Sequence, residues 1–168
     1  PIGTTFNAYD DWKLSITDPR NKVKHLYNDA YGNLKQVDET NSASIYTTTY
    51  EWNGNNKLTK ITDALGNVRN FTYDGMGRRL TAQDLHATSD ATYGTWTYTY
   101  DDAGNLTSML DPKSQTINYT YDDLNRISTE DYTGQAGTEV SYTYDSGTDG
   151  VGRLTSVTAT GANMSYVY

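Results

Sequence analysis

The sequence predicts an all-β chain of tandem antiparallel β-hairpins forming a twisted sheet strip, and three observations predict it. The first is composition: sixteen Tyr and fourteen Gly stand against only two Phe among the 168 residues. Tyr and Thr suit a pleated, half-buried surface, whereas the strong helix formers Ala, Leu, Glu and Lys are thin. The second is a period of two in the aromatic segments. Trp96, Tyr98 and Tyr100 alternate with Thr97 and Thr99, which places three rings on one face of a strand. Phe71/Tyr73, Tyr119/Tyr121, Tyr142/Tyr144 and Tyr166/Tyr168 repeat the pairing. The third is an internal repeat, which decides the architecture.

The repeat is an aromatic strand ending in Tyr-Asp, a Gly/Asn turn, then Leu or Ile and a second polar strand. It reads Tyr27-Asn-Asp-Ala-Tyr-Gly-Asn-Leu34, Tyr50-Glu-Trp-Asn-Gly-Asn-Asn-Lys-Leu58 and Tyr73-Asp-Gly-Met-Gly-Arg-Arg-Leu80. It continues as Tyr100-Asp-Asp-Ala-Gly-Asn-Leu106, Tyr121-Asp-Asp-Leu-Asn-Arg-Ile127 and Tyr144-Asp-Ser-Gly-Thr-Asp-Gly-Val-Gly-Arg-Leu154. The lead tyrosines are 23, 23, 27, 21 and 23 residues apart. A degenerate copy starts at Tyr9-Asp10-Asp11. The chain therefore divides as one array of about seven units, at 9–26, 27–49, 50–72, 73–99, 100–120, 121–143 and 144–168.

Each landmark has a physical reason. The Asp after Tyr (Asp10, Asp74, Asp101, Asp122, Asp145) can accept backbone N–H groups two residues on and so start a turn. Two residues before the Leu/Ile stands Gly32, Asn56, Gly104, Asn125 or Gly152, residue types that tolerate a left-handed backbone. The third copy has Arg78 there and Gly77 one residue earlier, which predicts a turn shifted by one. Aligned repeats predict cross-strand aromatic ladders among all these rings, Phe71/Tyr73, Trp96/Tyr98/Tyr100, Tyr119/Tyr121, Tyr142/Tyr144 and Tyr166/Tyr168, each pair contributing about 0.2–1 kcal/mol. Four or five residues after the Leu comes an Asp (Asp18, Asp38, Asp63, Asp84, Asp111, Asp131) that predicts the return turn, with Asp18-Pro19 and Asp111-Pro112 as its strongest forms. Leu34/Val37, Leu58/Ile61 and Leu154/Val157 are three apart, so either a bulge separates them or both faces are partly covered. The inserts Asn41–Tyr46, His86–Gly94 and Thr133–Thr138 read as longer hairpin loops, with contact loops for a partner as the alternative.

Several classes of function fall away. A net charge of −8 repels a phosphate backbone and Arg78-Arg79 is the only basic pair, so no nucleic-acid partner is expected. The absence of Cys excludes disulfides, thiolate zinc sites and cysteine nucleophiles without fixing a compartment. No apolar run approaches the ~18–20 residues of a membrane helix. The chain opens Pro-Ile-Gly-Thr-Thr without a signal-peptide pattern and stops on Tyr168 inside a repeat, which reads as a segment of something larger.

Candidate chemistry is sparse. His25 and His86 are the only imidazoles and read as exposed or turn histidines, outside any recognisable Ser-His-Asp order. The pairs Asp10-Asp11, Asp101-Asp102 and Asp122-Asp123 recur in register at turns, so capping explains them better than acid–base work. Asp145-Ser-Gly-Thr-Asp149-Gly150 has the oxygen-rich, glycine-containing spacing of a calcium loop but lacks the later bidentate acid. It reads as an elaborated turn; no catalytic, cofactor or metal site is expected, calcium being the one alternative. Trp12, Trp52 and Trp96 among many Tyr would suit sugar stacking, although strand packing already predicts rings at these spacings.

The Tyr-Asp pattern resembles the RHS/YD repeat family, whose signature is close to Tyr-Asp-x-x-Gly-Arg-Leu followed by Asp-Pro-x-Gly and another Tyr-x-Tyr-Asp. Tyr73-Asp74 with Gly77-Arg78, and Gly152-Arg153-Leu154, match the first half. Asp18-Pro19 and Asp111-Pro112 match the second, with Asn21 and Ser114 where the family favours Gly. The resemblance implies a strip of hairpins that spirals into a hollow shell. Such a shell encloses a toxic domain in polymorphic toxins and insecticidal toxin complexes, and in teneurins serves cell-surface adhesion. It implies here a non-catalytic scaffold: a shell-wall or fibre segment of a large exported protein, bacterial and extracellular or at the cell surface, enclosing or displaying a toxin or effector. The alternative is an adhesive module for a glycan or surface protein. The expected partners are neighbouring repeats of the same parent chain, with self-association through terminal strands as a further route.

Overall fold

A computed structural model describes residues 6–168; the opening Pro-Ile-Gly-Thr-Thr, and the reading attached to it, lie outside the described residues. The chain divides into two compact units, Pro1–Tyr93 and Gly94–Tyr168. The first holds β1 (Phe6–Asp10), β2 (Lys13–Thr17), β3 (Val23–Asn28), β4 (Leu34–Asn41), β5 (Ser44–Trp52), β6 (Leu58–Thr62), β7 (Val68–Tyr73) and β8 (Arg79–Gln83). The second holds β9 (Thr95–Tyr100), β10 (Leu106–Leu110), β11 (Thr116–Tyr121), β12 (Ile127–Tyr132), β13 (Val140–Tyr144), β14 (Leu154–Ala159) and β15 (Ala162–Ser165). Within each unit every strand pairs antiparallel with its sequence neighbours, so strand order follows chain order. The all-β hairpin strip is what is observed.

One turn is used over and over. At Asp18, Asp29, Asn53, Asp63, Asp74, Asp111 and Asp122 the side-chain Oδ1 accepts the N–H groups two and four residues on, at 2.8–3.0 Å. Asp101 accepts the N–H of Asn105 in the same way, at 2.8 Å. The backbone of the first residue also pairs with the fifth, as in Asp74 N–H to the Arg78 carbonyl at 3.0 Å. The fourth residue always has positive φ: Asn21, Gly32, Asn56, Gly66, Gly77, Gly104, Ser114 and Asn125. The third repeat obeys the same count, because Gly77 is three residues after Asp74. What moves is the Leu: Arg79 takes its register opposite Tyr73, and Leu80 is pushed outward to 37% exposure.

A bulge follows each of these hairpins on the Tyr-Asp side. Register slips by one residue after Asn28/Leu34, Trp52/Leu58, Tyr73/Arg79, Tyr100/Leu106, Tyr121/Ile127 and Tyr144/Leu154. The extra residue returns the side chains three apart to one face. Trp52 lies opposite Leu58 and Tyr50 opposite Ile61, so Leu58 and Ile61 share a face. The bulge, not coverage of both faces, resolves the spacing.

Three expectations need correction. Asp38 and Asp131 lie inside β4 and β12 rather than starting turns, because those strands run on past the expected length. Tyr27 and Tyr50 are not the equivalents of Tyr73 and Tyr121; Asn28 and Trp52 hold that register, with Tyr27 on the opposite face across from Gln36. The tyrosines also do not oppose one another. Tyr98 faces Met109, Tyr100 faces Leu106, Tyr119 faces Glu130, Tyr121 faces Ile127 and Tyr144 faces Leu154. The strands that carry the paired rings, β7, β9, β11 and β13, alternate in chain order with β8, β10 and β12, so the paired rings do not stand on adjacent strands.

The opposite face carries hydroxyl pairs: Thr72–Thr81 at 2.7 Å, Thr99–Thr107 at 3.0 Å and Thr120–Thr129 at 2.6 Å. Burial is slight. Among the described residues the buried apolar side chains are Val37, Val68, Phe71 and Ala82, all in the first unit. Most rings are half-buried, with one side packed and one side accessible.

Candidate functional site

The motif residues converge on the rim that carries the Tyr-Asp turns. In three of these turns the fifth residue, Asn33, Asn105 or Arg126, reaches in two directions. Arg126 donates its Nε to Asp122 Oδ2 in its own turn at 2.7 Å, and its two terminal nitrogens to Asp145 in the next turn at 2.6 and 3.2 Å. Its guanidinium lies 4.2 Å from the centre of the Tyr144 ring. A planar fork on a carboxylate and a stacked ring are contacts that Arg makes and Lys cannot duplicate. Asn105 does the same with an amide, donating to Asp101 Oδ2 and Asn125 Oδ1, both at 2.9 Å. In the first unit Asn33 bridges Asp29 and Asn56 at 3.2 and 3.1 Å. Lys57 extends to Gly77, whose place could not take a Cβ without meeting Lys57 Cε at 2.7 Å. Arg78 closes its own turn on Asp74 Oδ2 at 2.6 Å.

A second fastening comes from the ring that precedes each turn. The hydroxyl of Tyr73 donates to the Leu58 carbonyl at 2.8 Å, that of Tyr121 to Leu106 at 2.9 Å, and that of Tyr168 to Leu154 at 2.8 Å. Trp52 Nε1 donates to the Leu34 carbonyl at 2.8 Å. Each of these carbonyls sits beside a bulge, where the ladder leaves backbone groups underpaired. The position thus demands a large ring with a donor at its far end, which Tyr and Trp provide and Phe does not. That requirement accounts for Tyr rather than Phe at positions 73, 121 and 168.

Electrostatics follow from these contacts. The Arg126 guanidinium holds the Asp145 carboxyl below the usual carboxylate range, and the Gly152 N–H adds to it. Asp122 is lowered by the Arg126 backbone N–H and then its side chain, Asp74 by the Arg78 side chain, and Asp101 by the Asn105 amide. Arg126 itself is raised, first by Asp145 and then by Asp122. On the ring-bearing face, the Glu130 carboxylate accepts from the Tyr142 hydroxyl at 2.7 Å and pushes that phenol up to about 12, with burial adding to the shift.

Asp145 gives both carboxylate oxygens to Arg126 and one also to the Gly152 N–H, so a guanidinium occupies the position a calcium ion would need. Among the described residues no group of three or more His, Cys, Asp or Glu is placed to hold a metal ion. His86 is not an exposed turn histidine: it is buried, pairs its backbone with Val68 at 2.7 and 3.0 Å, and stacks on Tyr93 at 3.7 Å. The insert that carries it folds back as an extra rung on β7, which no local signal foretold. His25 Nδ1 meets Ser15 Oγ at 2.8 Å and lies opposite Asp38. Asp38 is itself held by Thr47 and Gln36 at 2.7 and 2.9 Å, so the three form part of the polar ladder. Tyr27 lies under the Lys13 ammonium at 5.7 Å. Gly104 and Gly152 have φ of +93° and +77° and shape their turns.

A family model for the RHS repeat matches residues 52–87, 82–116 and 100–136, which together span 52–136, just over half of the chain. The chain belongs to the RHS repeat family. The three matched RHS segments cover the turns at Asn53, Asp74, Asp101 and Asp122, where the fastenings described above are found. No curated protein sequence matches the chain.

Solved structures are similar in fold. The crystal structure of TcdB2-TccC3-Cdc42 aligns with a TM-score of 0.74 and 17% identity over 96% of this chain and 9% of that one. The Tc holotoxin pore of Photorhabdus luminescens aligns with a TM-score of 0.71 and 17% identity over 91% of this chain and 9% of its own. The RHS segment described here thus spans about a tenth of the length of the chains it resembles.

Proposed function

We propose that this RHS segment is a non-catalytic wall element of a large exported protein that encloses or displays a toxin or effector domain. The observation that carries the reading is the use to which the motif is put. Arg126, Asn105, Asn33, Tyr73, Tyr121 and Trp52 spend their hydrogen-bonding capacity on the next or preceding repeat. A side chain committed in this way serves continuity of the strip, not turnover. The sheet is a single layer with little core of its own, so stability accrues from neighbour to neighbour as in other repeat arrays. Family membership and the fold shared with Tc toxin structures support a shell over an open fibre. Secretion and an extracellular or cell-surface place in bacteria go with that reading.

The test is electron cryomicroscopy of the full-length product of the reading frame that contains this segment. The proposal expects a hollow wall into which these strands fit, with protein density inside. A solid domain with the strip lying on its outside, or a wall with an empty interior, would overturn it.

A further inference from the structure

The second unit contains a cavity of about 300 Å³ on the rim away from the Tyr-Asp turns. Its floor is apolar and partly aromatic: Trp96, Met109, Ile117 and Tyr132. Its sides carry Asp111, Gln115 and Gln135. The cavity exists because the repeat is broken there. Where the Asp18, Asp63 and Asp111 turns return the chain in five residues, the β12–β13 connection leaves the pattern and β12 and β13 pair through only Thr129–Ser141 and Glu130–Val140. The insert is shaped into a wall: Thr133 N–H donates to the Thr116 carbonyl at 2.8 Å, and Gln135 N–H to the Tyr132 carbonyl at 3.1 Å, with Gly134 at φ +96°.

The comparable insert of the first unit shows what a filled site looks like. There His86 turns inward, bridges Val68 and is covered by Tyr93. The insert of the second unit supplies no such plug, and the Trp96 floor stays open. The polar groups around it are also unspent. Asp111 Oδ1 accepts the N–H groups of Lys113 and Gln115 at 2.8 Å, but no hydrogen bond among the described residues uses its Oδ2 or the side-chain amides of Gln115 and Gln135.

We infer that this cavity is a binding site for a neutral saccharide unit, stacked flat on the Trp96 indole. The chemistry selects the class. An aromatic face takes the apolar C–H side of a pyranose, while two amides and a carboxylate match the alternating donors and acceptors of ring hydroxyls. Asp111 and the −8 net charge disfavour phosphate, sulfate and carboxylate ligands. The volume lies at the small end of ligand sites, which suits one or two sugar rings and not an acyl chain or a helix. The inference stands apart from the scaffold role: a wall can carry such a site, and its failure leaves the wall intact.

The test titrates the whole chain with maltotriose, cellotriose, mannotriose and chitotriose, followed by saturation-transfer NMR, with a heparin hexasaccharide as the anionic control. At least one neutral trisaccharide should saturate with a Kd of about 0.1–5 mM. Trp96→Ala should weaken it at least about tenfold and Gln135→Ala about two- to tenfold, whereas Trp12→Ala should leave it unchanged. If Trp96→Ala loses its native circular dichroism, Gln115→Ala and Gln135→Ala carry the test, since both side chains lie outside the hydrogen-bonded frame. Absence of saturation by every neutral probe up to about 20 mM, binding that survives both glutamine changes, or binding confined to heparin would overturn the assignment.

Discussion

The two rims of the meander are closed by the same five-residue turn, yet they do different work. On the Tyr-Asp rim the fifth residue is Asn33, Lys57, Arg78, Asn105 or Arg126, and four of these reach the next turn along within their own unit. On the far rim the fifth residue is Lys22, Asn67 or Gln115. Here Lys22 alone reaches the next turn along, at Asn41, at 2.9 Å; Asn67 closes on its own Asp63 at 2.8 Å, and Gln115 faces the cavity. The far rim also takes the inserts at 84–94 and 133–139. Identical backbone geometry is therefore compatible with a fastened rim and a variable rim. The lesson is that in this array the turn shape comes from Asp and a left-handed residue, whereas cohesion comes from the residue after them.

Substitutions on the two rims test that contrast. The largest effect is expected at Gly150, inside the Asp145 turn, where an added Cβ would lie 2.0 Å from the Ser146 carbonyl oxygen. Gly150→Ala should cost about 3 kcal/mol, measured by urea denaturation. The far-rim control Gly137→Ala, with open space around it at φ +92°, should cost about 1 kcal/mol. Equal losses would mean that the two rims are not distinguished by packing.

Next is the ring hydroxyl. Tyr73→Phe removes the donor to the Leu58 carbonyl beside a bulge and should cost about 1–2 kcal/mol. Gln115→Ala on the far rim should stay within about 0.5 kcal/mol. A silent Tyr73→Phe would reduce the tyrosines to generic apolar surface.

Smaller again is the pH response. Asp74, Asp101, Asp122 and Asp145 are all held below the unfolded carboxylate value of 3.8. A depressed carboxyl contributes stability that is fully present above the unfolded value and is lost as pH falls through the folded one. Melting followed by circular dichroism should therefore be flat near neutrality and fall below about pH 4. Asp122→Asn, which keeps an acceptor for the turn but loses the charge facing Arg126, should flatten that fall. The opposite sign applies to Tyr142: with its phenol pushed up to about 12 by Glu130, stability is full below the unfolded value of 10.0 and declines as pH rises toward 12. In an absorbance titration of the protein against its Tyr142→Phe variant, the difference signal of Tyr142 should appear near pH 12.

Much of the fold was legible because its causes are local. A Gly or Asn two residues before the Leu or Ile that opens the next strand is a local signal for the turn, so Gly32, Asn56, Gly104, Asn125 and Gly152 could be placed at positive φ from the sequence. The three-residue spacing of Leu58 and Ile61 already posed the bulge as one of two options. The aromatic ladder could not be ruled out from sequence, because period-two patterning says which face a ring occupies but not which strand comes next to it. The equivalence of Trp52 with Tyr73 was hidden by the nearby Tyr50, and only register separates them. The reach of Arg126 to Asp145 spans 19 residues, and nothing within one copy of the repeat announces it. Nor does composition reveal that His86 fills its insert while the later insert leaves Trp96 open.

The central claim is that the residue after the left-handed position couples each repeat to the next. A double-mutant cycle on Arg126→Gln and Asp145→Asn measures that coupling directly by thermal melting. Each single change should lower the midpoint by about 3–6 °C. Arg126 also holds Asp122 and Tyr144, and Asp145 also holds the Gly152 N–H. The double variant should therefore lose clearly less than the sum of the two single losses, the shortfall measuring the bond between repeats. Midpoint losses that simply add would show that Arg126 and Asp145 stabilise their own turns separately, and the account of a fastened rim would fail.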